Sequence, residues 1–312
     1  MVGSGRIATR FVEEARYVSG VSVEAVFSRR HESAQAFAHK LELQYANDSY
    51  ADLLKHVDAV YVATPHSTHF DYAKAAIEAG VHVLCEKPMT LSRAQTEELF
   101  ALAGRHNVVL LEAVKTAFSP GFQRMVAVAR MGSIGRIRSV DATFTKLVRS
   151  GRELEPGDGG SISELATYPL VAIVKLLGLD YESIRTQSLR PASAEVEVFS
   201  RIDLRYPHAV ASARTGIGVK AEGDLVVAGA NGYIYVPAPW WKTEYFEARF
   251  EDSRDNKKYY YKFDGDGLRY ELAEFASMIR SGAAESFKLR PAESIAMAEI
   301  IESARANAEV FE

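Results

Sequence analysis

The sequence is poor in the features that mark several large classes of protein. It holds a single cysteine, Cys85, so an internal disulfide and a thiolate metal cluster are excluded, and no metal site is expected. It has no run of about 18 apolar residues, and no membrane-spanning helix is therefore expected. Its first residues lack the charged, apolar and small-residue regions of a secretion signal. We therefore expect a cytoplasmic protein.

Charge of one sign and low-complexity sequence are absent as well. The 37 Lys and Arg residues face 41 Asp and Glu residues, so the net charge is −4. A nucleic-acid partner is not expected, because such proteins concentrate basic residues on one face. The chain has no internal repeats, and at 312 residues it is long for one hydrophobic core. Two domains are therefore expected.

Strand-like and helical segments alternate through residues 1–117. Helical segments separate four strand-like segments, at 21–27, 58–63, 82–85 and 108–111. This alternation predicts βαβ units and a parallel sheet that is covered on both faces. Before the last of these strands, Ser92 and Gln95 form a capping-box pattern, which predicts a helix beginning there.

Extended segments dominate from about residue 120. Helices are expected at 121–131, 162–177, 268–280 and 292–308. Strands are expected at 137–147, 195–204, 209–217, 224–228, 233–236, 243–250 and 257–263. Residues 118–312 therefore predict an α+β domain with a large, mostly antiparallel open sheet. Because an open sheet commonly packs against another subunit, we expect a homodimer or homotetramer.

The segment Gly3-Ser4-Gly5-Arg6-Ile7-Ala8 has the spacing of a dinucleotide-binding turn. The first glycine permits a tight turn, and the second lets a pyrophosphate approach the backbone at the amino end of a helix. Together with the strand–helix units that follow, the pattern predicts a Rossmann-type domain. We expect Gly3, Gly5, Arg6 and Ile7 to contact the cofactor.

The first strand of this predicted domain is largely missing. About five strand residues should precede the glycine turn, and only Met1 and Val2 do. A start assigned too late, a removed segment and a defective cofactor domain would each explain this. The expectation we favour is a truncated amino terminus.

The residues after the second strand bear on the choice of cofactor. Sites for NAD usually place Asp or Glu there, whereas this chain has Ser28, Arg29 and Arg30. A hydroxyl and two guanidinium groups suit a 2′-phosphate, because Arg forms bidentate contacts with phosphate oxygens. NADP is therefore the preferred cofactor and NAD the alternative. A solvated basic turn would also explain the three residues.

Two further motifs carry a resemblance to a known family. Thr64-Pro65-His66-Ser67-Thr68-His69 and Cys85-Glu86-Lys87-Pro88 follow successive strands. With them, the chain resembles the glucose–fructose oxidoreductase/inositol dehydrogenase/MocA family over its whole length. The resemblance implies hydride transfer between a nicotinamide cofactor and a sugar, polyol or related hydroxy or carbonyl compound.

The resemblance also implies roles for the residues of these motifs. Thr64, Pro65 and His66 would line the adenosine side of the cofactor crevice, with His69 on the following helix. Glu86 would face the nicotinamide ribose, and Lys87 would contact the cofactor where hydride is transferred. For both histidines, helix capping and packing is the alternative.

The family places a second catalytic element on the helix after a double glycine, here Gly159-Gly160. The resemblance makes Tyr168 the acid/base and Glu164 a substrate or helper group. The two are four residues apart and so share one helix face. Lys87 and Tyr168 form a sensible pair, because a nearby ammonium favours the phenolate of a tyrosine.

Other interpretations of the same scaffold stay open. One is a dinucleotide-binding sensor without catalysis, and another is a lyase or hydrolase that oxidises its substrate transiently with NAD. Trp240 and Trp241 are expected at a subunit contact, and lining of the cleft is the alternative. Candidate substrate-side cations, each more often a solvated surface charge, are Lys115, Lys146 and Arg149.

Overall fold

The computed structural model describes residues 1–312, which pack as two compact units. The first unit consists of Met1–Phe118 and Asp264–Ser294, and the second of Ser119–Phe263 and Ile295–Glu312. The chain thus returns to the first unit after forming most of the second. The division into 1–117 and 118–312 stays a prediction, because compact packing alone does not define a domain that folds independently.

Helices and strands alternate through the first 118 residues, as the hydrophobic pattern predicts. The elements are α1 (Arg6–Ala15), β1 (Ala25–Phe27), α2 (His31–Leu41), β2 (Tyr45–Asn47), α3 (Tyr50–Leu54), β3 (Ala59–Val62), α4 (His69–Glu78), β4 (His82–Glu86), α5 (Arg93–His106), β5 (Leu110–Ala113) and α6 (Lys115–Phe118).

The rest of the chain is richer in strands. Its elements are α7 (Pro120–Arg130), β6 (Ile137–Thr145), α8 (Ser161–Leu165), α9 (Thr167–Leu177), β7 (Ser183–Leu189), β8 (Phe199–Arg205), β9 (Val210–Gly216), β10 (Leu225–Gly229), β11 (Tyr233–Val236), β12 (Tyr245–Arg249), β13 (Lys257–Tyr260), α10 (Leu268–Ser281), α11 (Pro291–Ala306) and β14 (Glu309–Phe311). Of these, α10 lies in the first compact unit.

The strands of the first unit form a parallel sheet with Val2 at its centre. β1 pairs with β2, and β4 pairs with both β3 and β5. Val2 pairs in parallel with Phe27 of β1 on one side and with Val62 of β3 on the other. The order is therefore β2-β1-Val2-β3-β4-β5, which confirms the Rossmann-type sheet. Val2 lies where the first strand is expected, and Met1 and Gly3 beside it also form hydrogen bonds with β1.

The second unit is built on a nine-stranded sheet, which confirms the predicted large, mostly antiparallel sheet. The order is β13-β12-β11-β10-β6-β9-β8-β7-β14. Neighbours are antiparallel except for the pairs β6–β9 and β7–β14. Helix α9 packs against β6 and β9, and it is buried along nearly its whole length.

Some local expectations fail. The side chain of Ser92 does not cap α5, so the capping-box prediction is wrong. The carbonyl of Ser92 instead accepts hydrogen bonds from the hydroxyls of Thr90 (2.6 Å) and Thr96 (3.0 Å). The single helix expected at 162–177 is two helices, α8 and α9. None of the helices combines the length and the apolar character needed to cross a membrane.

Candidate active site

The predicted cofactor residues follow the carboxyl ends of the strands, at one edge of the first sheet. Val2, β1, β3 and β4 run parallel, so their carboxyl ends lie side by side. The chain passes from Val2 to β1 on one side and later to β3 on the other, so the strand order reverses at Val2. Ligands of open parallel sheets bind in the crevice at such a reversal. The segments at this edge are residues 3–5, 28–30, 64–66 and 87–88.

The glycine turn requires Gly3. Its φ is +103°, and a Cβ there would lie 2.6 Å from the carbonyl oxygen of Ala63. The N–H of Gly3 donates to the carbonyl of Phe27 over 2.9 Å, which fixes the turn against β1. Gly5 then provides the amino-terminal cap residue of α1 without a side chain. The amino end of α1 is therefore not covered by a side chain of its cap residue, and Gly3 keeps the neighbouring backbone close. Both features fit a pyrophosphate.

The basic residues after β1 are accessible. The N–H of Ser28 donates to the carbonyl of Asn47 over 3.1 Å, which anchors this turn to the neighbouring strand. The side chains of Arg29 and Arg30 are exposed. The turn therefore presents two guanidinium groups at the sheet edge that carries the glycine turn.

His69 connects the two motifs that follow β3 and β4. Its Nε2 lies 2.9 Å from the carbonyl oxygen of Thr64, and its Nδ1 lies 2.9 Å from that of Pro88. The side chain is 1% exposed, and burial lowers its pKa. Because both ring nitrogens contact backbone carbonyls, these contacts favour the packing alternative for His69. His66 is also buried, one turn earlier.

The backbone of Lys87 is held by the residue before it. The N–H of Lys87 donates to one carboxylate oxygen of Glu86 over 3.1 Å, and the hydroxyl of Tyr61 donates to the other. The ring of Tyr61 stacks on Phe11, with 3.7 Å between ring centres. Glu86 on β4 is therefore linked to β3 through Tyr61, and to α1 through the contact of Tyr61 with Phe11. The side chain of Lys87 is half-buried.

Glu112 on β5 contacts the loop that follows Lys87. One of its carboxylate oxygens accepts the N–H of Met89 over 2.9 Å. The residue is 3% exposed, and burial raises its pKa to about 7. Hydrogen bonds with Ser294 and the N–H of Met89, and the positive charge of Lys87, act in the opposite direction on this pKa.

In the second unit, the double glycine positions the helix that carries Tyr168. Gly160 has a φ of +101°, and a Cβ there would lie 2.5 Å from a carboxylate oxygen of Glu197. That same carboxylate accepts the N–H of Ile162 at the start of α8 over 2.9 Å. Burial raises the pKa of Glu197. The turn thus packs tightly and directs α8 and α9.

Glu164 forms an ion pair within its own unit. Its carboxylate lies 3.0 Å from a guanidinium nitrogen of Arg152, and only 7% of its side chain is exposed. The ion pair favours a structural role for Glu164, and its predicted contact with substrate stays a prediction. Lys146 likewise contacts a carboxylate, that of Glu153, over 3.2 Å.

Tyr168 lies in an aromatic cluster. Its ring centre is 4.7 Å from that of Phe144, and Phe144 stacks on Trp241 with 3.8 Å between centres. Trp240 is fully buried in its own unit and donates to the carbonyl of Thr143 over 2.8 Å. The expectation that Trp240 lies at a subunit contact is therefore wrong.

The predicted residues thus form one group in each unit, with Lys87 in the first and Tyr168 in the second. Sequence reasoning missed several supporting residues. They are Tyr61, Glu112, Phe144, Arg152 and Glu197. None of them belongs to a motif, and each acts through a contact distant in sequence, so no local pattern could have indicated it.

Comparisons with known proteins agree with this fold. Residues 1–114 match the model of a family described as "Oxidoreductase family, NAD-binding Rossmann fold". Over 319 residues, the chain is 28% identical to trans-1,2-dihydrobenzene-1,2-diol dehydrogenase of Sus scrofa, which covers 98% of this chain and 95% of the relative. It is 27% identical to the NADP(+)-type scyllo-inositol 2-dehydrogenase of Bacillus subtilis, with the same coverage.

A solved structure shares the whole fold. It is a 3-ketoreductase from Actinomadura kijaniata in complex with NADP and TDP-benzene. The TM-score is 0.88 at 24% identity, and the alignment covers 99% of this chain and 97% of the other. The two-unit architecture is therefore that of a solved reductase.

Proposed function

Since the chain belongs to the glucose–fructose oxidoreductase/inositol dehydrogenase/MocA family of NAD(P)-dependent oxidoreductases, we propose that Lys87 and Tyr168 are its acid/base pair. The reaction is hydride transfer between NADP and a ring-borne hydroxyl or carbonyl group. The observation that carries the proposal is the fixed position of Lys87, whose backbone is bonded to Glu86 at the sheet edge of the glycine turn.

The residues of the first unit fit the cofactor. The turn at Gly3 leaves no room for a Cβ, as close approach of a pyrophosphate requires. Arg29 and Arg30 are exposed after β1, where a 2′-phosphate would lie. NADP is named for both the Bacillus dehydrogenase and the Actinomadura ketoreductase, which supports NADP over NAD. When bound, the nicotinamide ring accepts or donates the hydride.

Lys87 and Tyr168 divide the proton chemistry between them. During oxidation, the Tyr168 phenolate takes the proton of the substrate hydroxyl, and the ammonium of Lys87 stabilises that phenolate. During reduction, the phenol and the ammonium donate hydrogen bonds to the oxygen on which negative charge develops, and the phenol gives up its proton. Glu86 holds the backbone of Lys87, and His69 holds the loop that follows it.

The aromatic cluster around Tyr168 favours a cyclic substrate. The half-buried ring of Trp241 presents apolar surface near the phenol, and Phe144 is buried between these two rings. Such surfaces contact the C–H faces of a ring, while polar groups contact its hydroxyls. The names of the two relatives describe a cyclic diol and a cyclic polyol as substrates. We therefore propose a six-membered ring with vicinal hydroxyl groups as the substrate class.

The test is steady-state turnover with NADP or NADPH and a panel of cyclic diols, inositols and sugars. Lys87→Met and Tyr168→Phe should each lower kcat by about 10²-fold or more, and Tyr168→Phe should leave cofactor binding nearly unchanged. The matched controls are Lys40→Met and Tyr260→Phe, which change exposed side chains outside the site.

Each other outcome has a definite meaning. Undiminished kcat in both site variants would overturn the acid/base assignment. Binding of NADP without turnover on any member of the panel would indicate a sensor. Product formed without net reduction of the cofactor would indicate a lyase or hydrolase that oxidises its substrate transiently.

A further inference from the structure

A histidine and an aspartate meet beside the basic turn that follows β1. His31 is the first residue of α2 and comes directly after Arg29 and Arg30. Its Nδ1 lies 3.3 Å from a carboxylate oxygen of Asp48, the first residue after β2. The side chains of His31 and Asp48 are 50% and 60% exposed. A ligand at this turn can therefore reach both of them.

The sheet places this pair where the 2′-phosphate of NADP is expected. β1 and β2 are parallel and pair up to their last residues, Phe27 and Asn47. The N–H of Ser28 donates to the carbonyl of Asn47 over 3.1 Å, so the two loops leave the sheet side by side. In dinucleotide-binding folds, the adenosine ribose and its 2′-phosphate bind at the end of the strand after the glycine turn. His31 and Asp48 thus flank that position together with the two arginines.

The charge of His31 decides what the pair offers to a phosphate. A protonated imidazole has two N–H donors, so one can face Asp48 while the other, at Nε2, donates to a phosphate oxygen. A neutral imidazole has one N–H, and the contact of one ring nitrogen fixes which nitrogen carries it. Asp48 would hold that proton at Nδ1, and Nε2 would then have only a lone pair for the phosphate. Histidine is the side chain whose charge changes between about pH 5 and 8.

The other surroundings of His31 contribute little charge. Helix α2 packs against β1 and β2, whose residues carry no charge. It also packs against α1, and Arg16, just after α1, donates to the carbonyl of Leu41 at the far end of α2. Glu32, the next residue of α2, is the other charged neighbour in the sequence. The arginines before His31 stay positive throughout this pH range, so His31 is the group whose charge changes.

We propose that His31, held by Asp48, is a pH-dependent ligand of the 2′-phosphate of NADP, so that the contribution of this pair to the preference for NADP falls as pH rises. The inference rests on the proposed preference for NADP. Protonated His31 adds a third cation to the two arginines and cancels the charge of Asp48. Neutral His31 withdraws the donor and leaves Asp48 to repel the phosphate. NAD lacks this phosphate, so its binding does not depend on the charge of the pair.

Fluorescence titration measures the dissociation constants of NADPH and NADH at pH 6.0 and pH 8.5. At pH 6.0, His31→Ala should bind NADPH about fivefold or more weakly than the unchanged protein, because a charge-assisted hydrogen bond is lost. At pH 8.5 the two proteins should differ by less than about twofold, as they should for NADH at both values. Each comparison is made at one pH, since the second ionisation of the phosphate, at about pH 6, affects both proteins alike.

Two further variants separate charge from structure. His31→Arg carries a fixed positive charge and should bind NADPH more tightly than His31→Ala by the same factor at both pH values. Asp48→Asn removes the repelling charge and should tighten the binding of NADPH at pH 8.5 but not that of NADH. The matched control is His106→Ala, at the exposed end of α5, which should bind both cofactors as the unchanged protein does.

A second measurement follows the protonation of His31 itself. Proton NMR records the imidazole resonances, and the spectrum of His31→Ala identifies the resonance of His31. Because binding and protonation are linked, a phosphate that prefers the protonated form must raise the pH at which His31 is half protonated. NADPH should therefore shift this titration to higher pH, and NADH should not.

The proposal is overturned if His31→Ala and the unchanged protein bind NADPH equally at pH 6.0, or if NADPH does not shift the titration of His31. It is also overturned if His31→Ala weakens the binding of both cofactors equally. An unchanged preference for NADPH in His31→Ala contradicts this inference alone, whereas an unchanged protein that binds NADPH no more tightly than NADH contradicts the preference for NADP as well. All of these readouts measure binding or protonation, and none depends on hydride transfer.

Discussion

Among single residues, Glu112 gives the first unit a stability that depends on pH. Burial raises its pKa from 4.5 to about 7, so the folded protein binds the proton more tightly than the unfolded chain. The free energy of unfolding should therefore decline as pH rises from about 4.5 to about 7. Glu112→Gln keeps an acceptor for the N–H of Met89 and removes the titration.

Denaturant unfolding at pH 5 and pH 8 measures this effect. The decline between the two values should be smaller in Glu112→Gln than in the unchanged protein, by up to roughly 3 kcal/mol. Glu97→Gln, on the exposed surface of α5, is the control and should show the full decline. Equal declines in all three proteins would contradict the assignment.

Arg29 and Arg30 provide a residue-scale test of the cofactor. Replacing both with Ala should weaken NADPH binding by about tenfold or more, because each guanidinium forms charge-assisted contacts with a phosphate. NADH binding should change little, since NADH lacks the 2′-phosphate. Fluorescence titration with each cofactor separates the two effects. Arg105→Ala, on α5, is the control, and an equal loss for both cofactors would contradict the preference for NADP.

The motifs indicated the candidate site residues but not their surroundings. Gly3, Lys87 and Tyr168 follow from local spacing and from the resemblance. The contacts of His69 with two loop carbonyls could not be predicted, because they depend on how the loops after β3 and β4 meet. The ion pair of Glu164 with Arg152 likewise joins α8 to a short 3-10 helix, Arg152–Leu154, that belongs to no motif.

At the scale of elements, one ion pair links α1 to α10. The guanidinium of Arg269 donates to both carboxylate oxygens of Glu14, over 2.9 and 2.7 Å. Burial alone would raise the pKa of Glu14, but the hydrogen bonds from Arg269 lower it. Arg269→Ala would leave this carboxylate buried and without its partner, and we expect it to lower the free energy of unfolding by about 2–4 kcal/mol.

A surface pair of similar length is the control for this prediction. Arg93 and Glu97 are one turn apart on α5, at 2.8 Å, and nearly half of each side chain is exposed. Arg93→Ala should cost no more than about 0.5 kcal/mol. Thermal or denaturant unfolding gives both values, and similar costs for Arg93→Ala and Arg269→Ala would show that burial contributes little to the Glu14 pair.

Element prediction succeeded where hydrophobic periodicity was strong. Most helices and strands begin within a few residues of the predicted positions, and β11 matches in full. The strand β7 was missed because its sequence, Ser-Ile-Arg-Thr-Gln-Ser-Leu, is mostly polar and it lies near one end of the sheet. The location of α10 in the first unit was also missed, because a helical pattern does not identify the sheet against which the helix packs.

For the whole molecule, the open sheet of the second unit predicts a homo-oligomer. Arg201 of β8 and Arg214 of β9 are direct cross-strand neighbours of like charge, which is unfavourable on an uncovered sheet. Carboxylates from a second copy would offset the repulsion between these two guanidinium groups. We expect a homodimer or homotetramer that uses this face.

Light scattering after size-exclusion chromatography measures the mass in solution. Arg214→Glu would pair with Arg201 in its own chain and should shift the protein towards the monomer. Arg105→Glu makes the same charge change on α5 and should leave the mass unchanged. A monomeric unchanged protein, or an Arg214→Glu variant of full oligomeric mass, would contradict this prediction.

The return of the chain to the first unit limits how this protein can be divided or recombined. A fragment that stops at Phe118 keeps the glycine turn and Lys87 but loses α10, and with it Arg269 and the apolar residues beside Phe11. Such a fragment would expose apolar surface and leave Glu14 without its partner. A chimaera that exchanges only the cofactor half with a relative must therefore carry two separated stretches of sequence, 1–118 and 264–294, from the same parent.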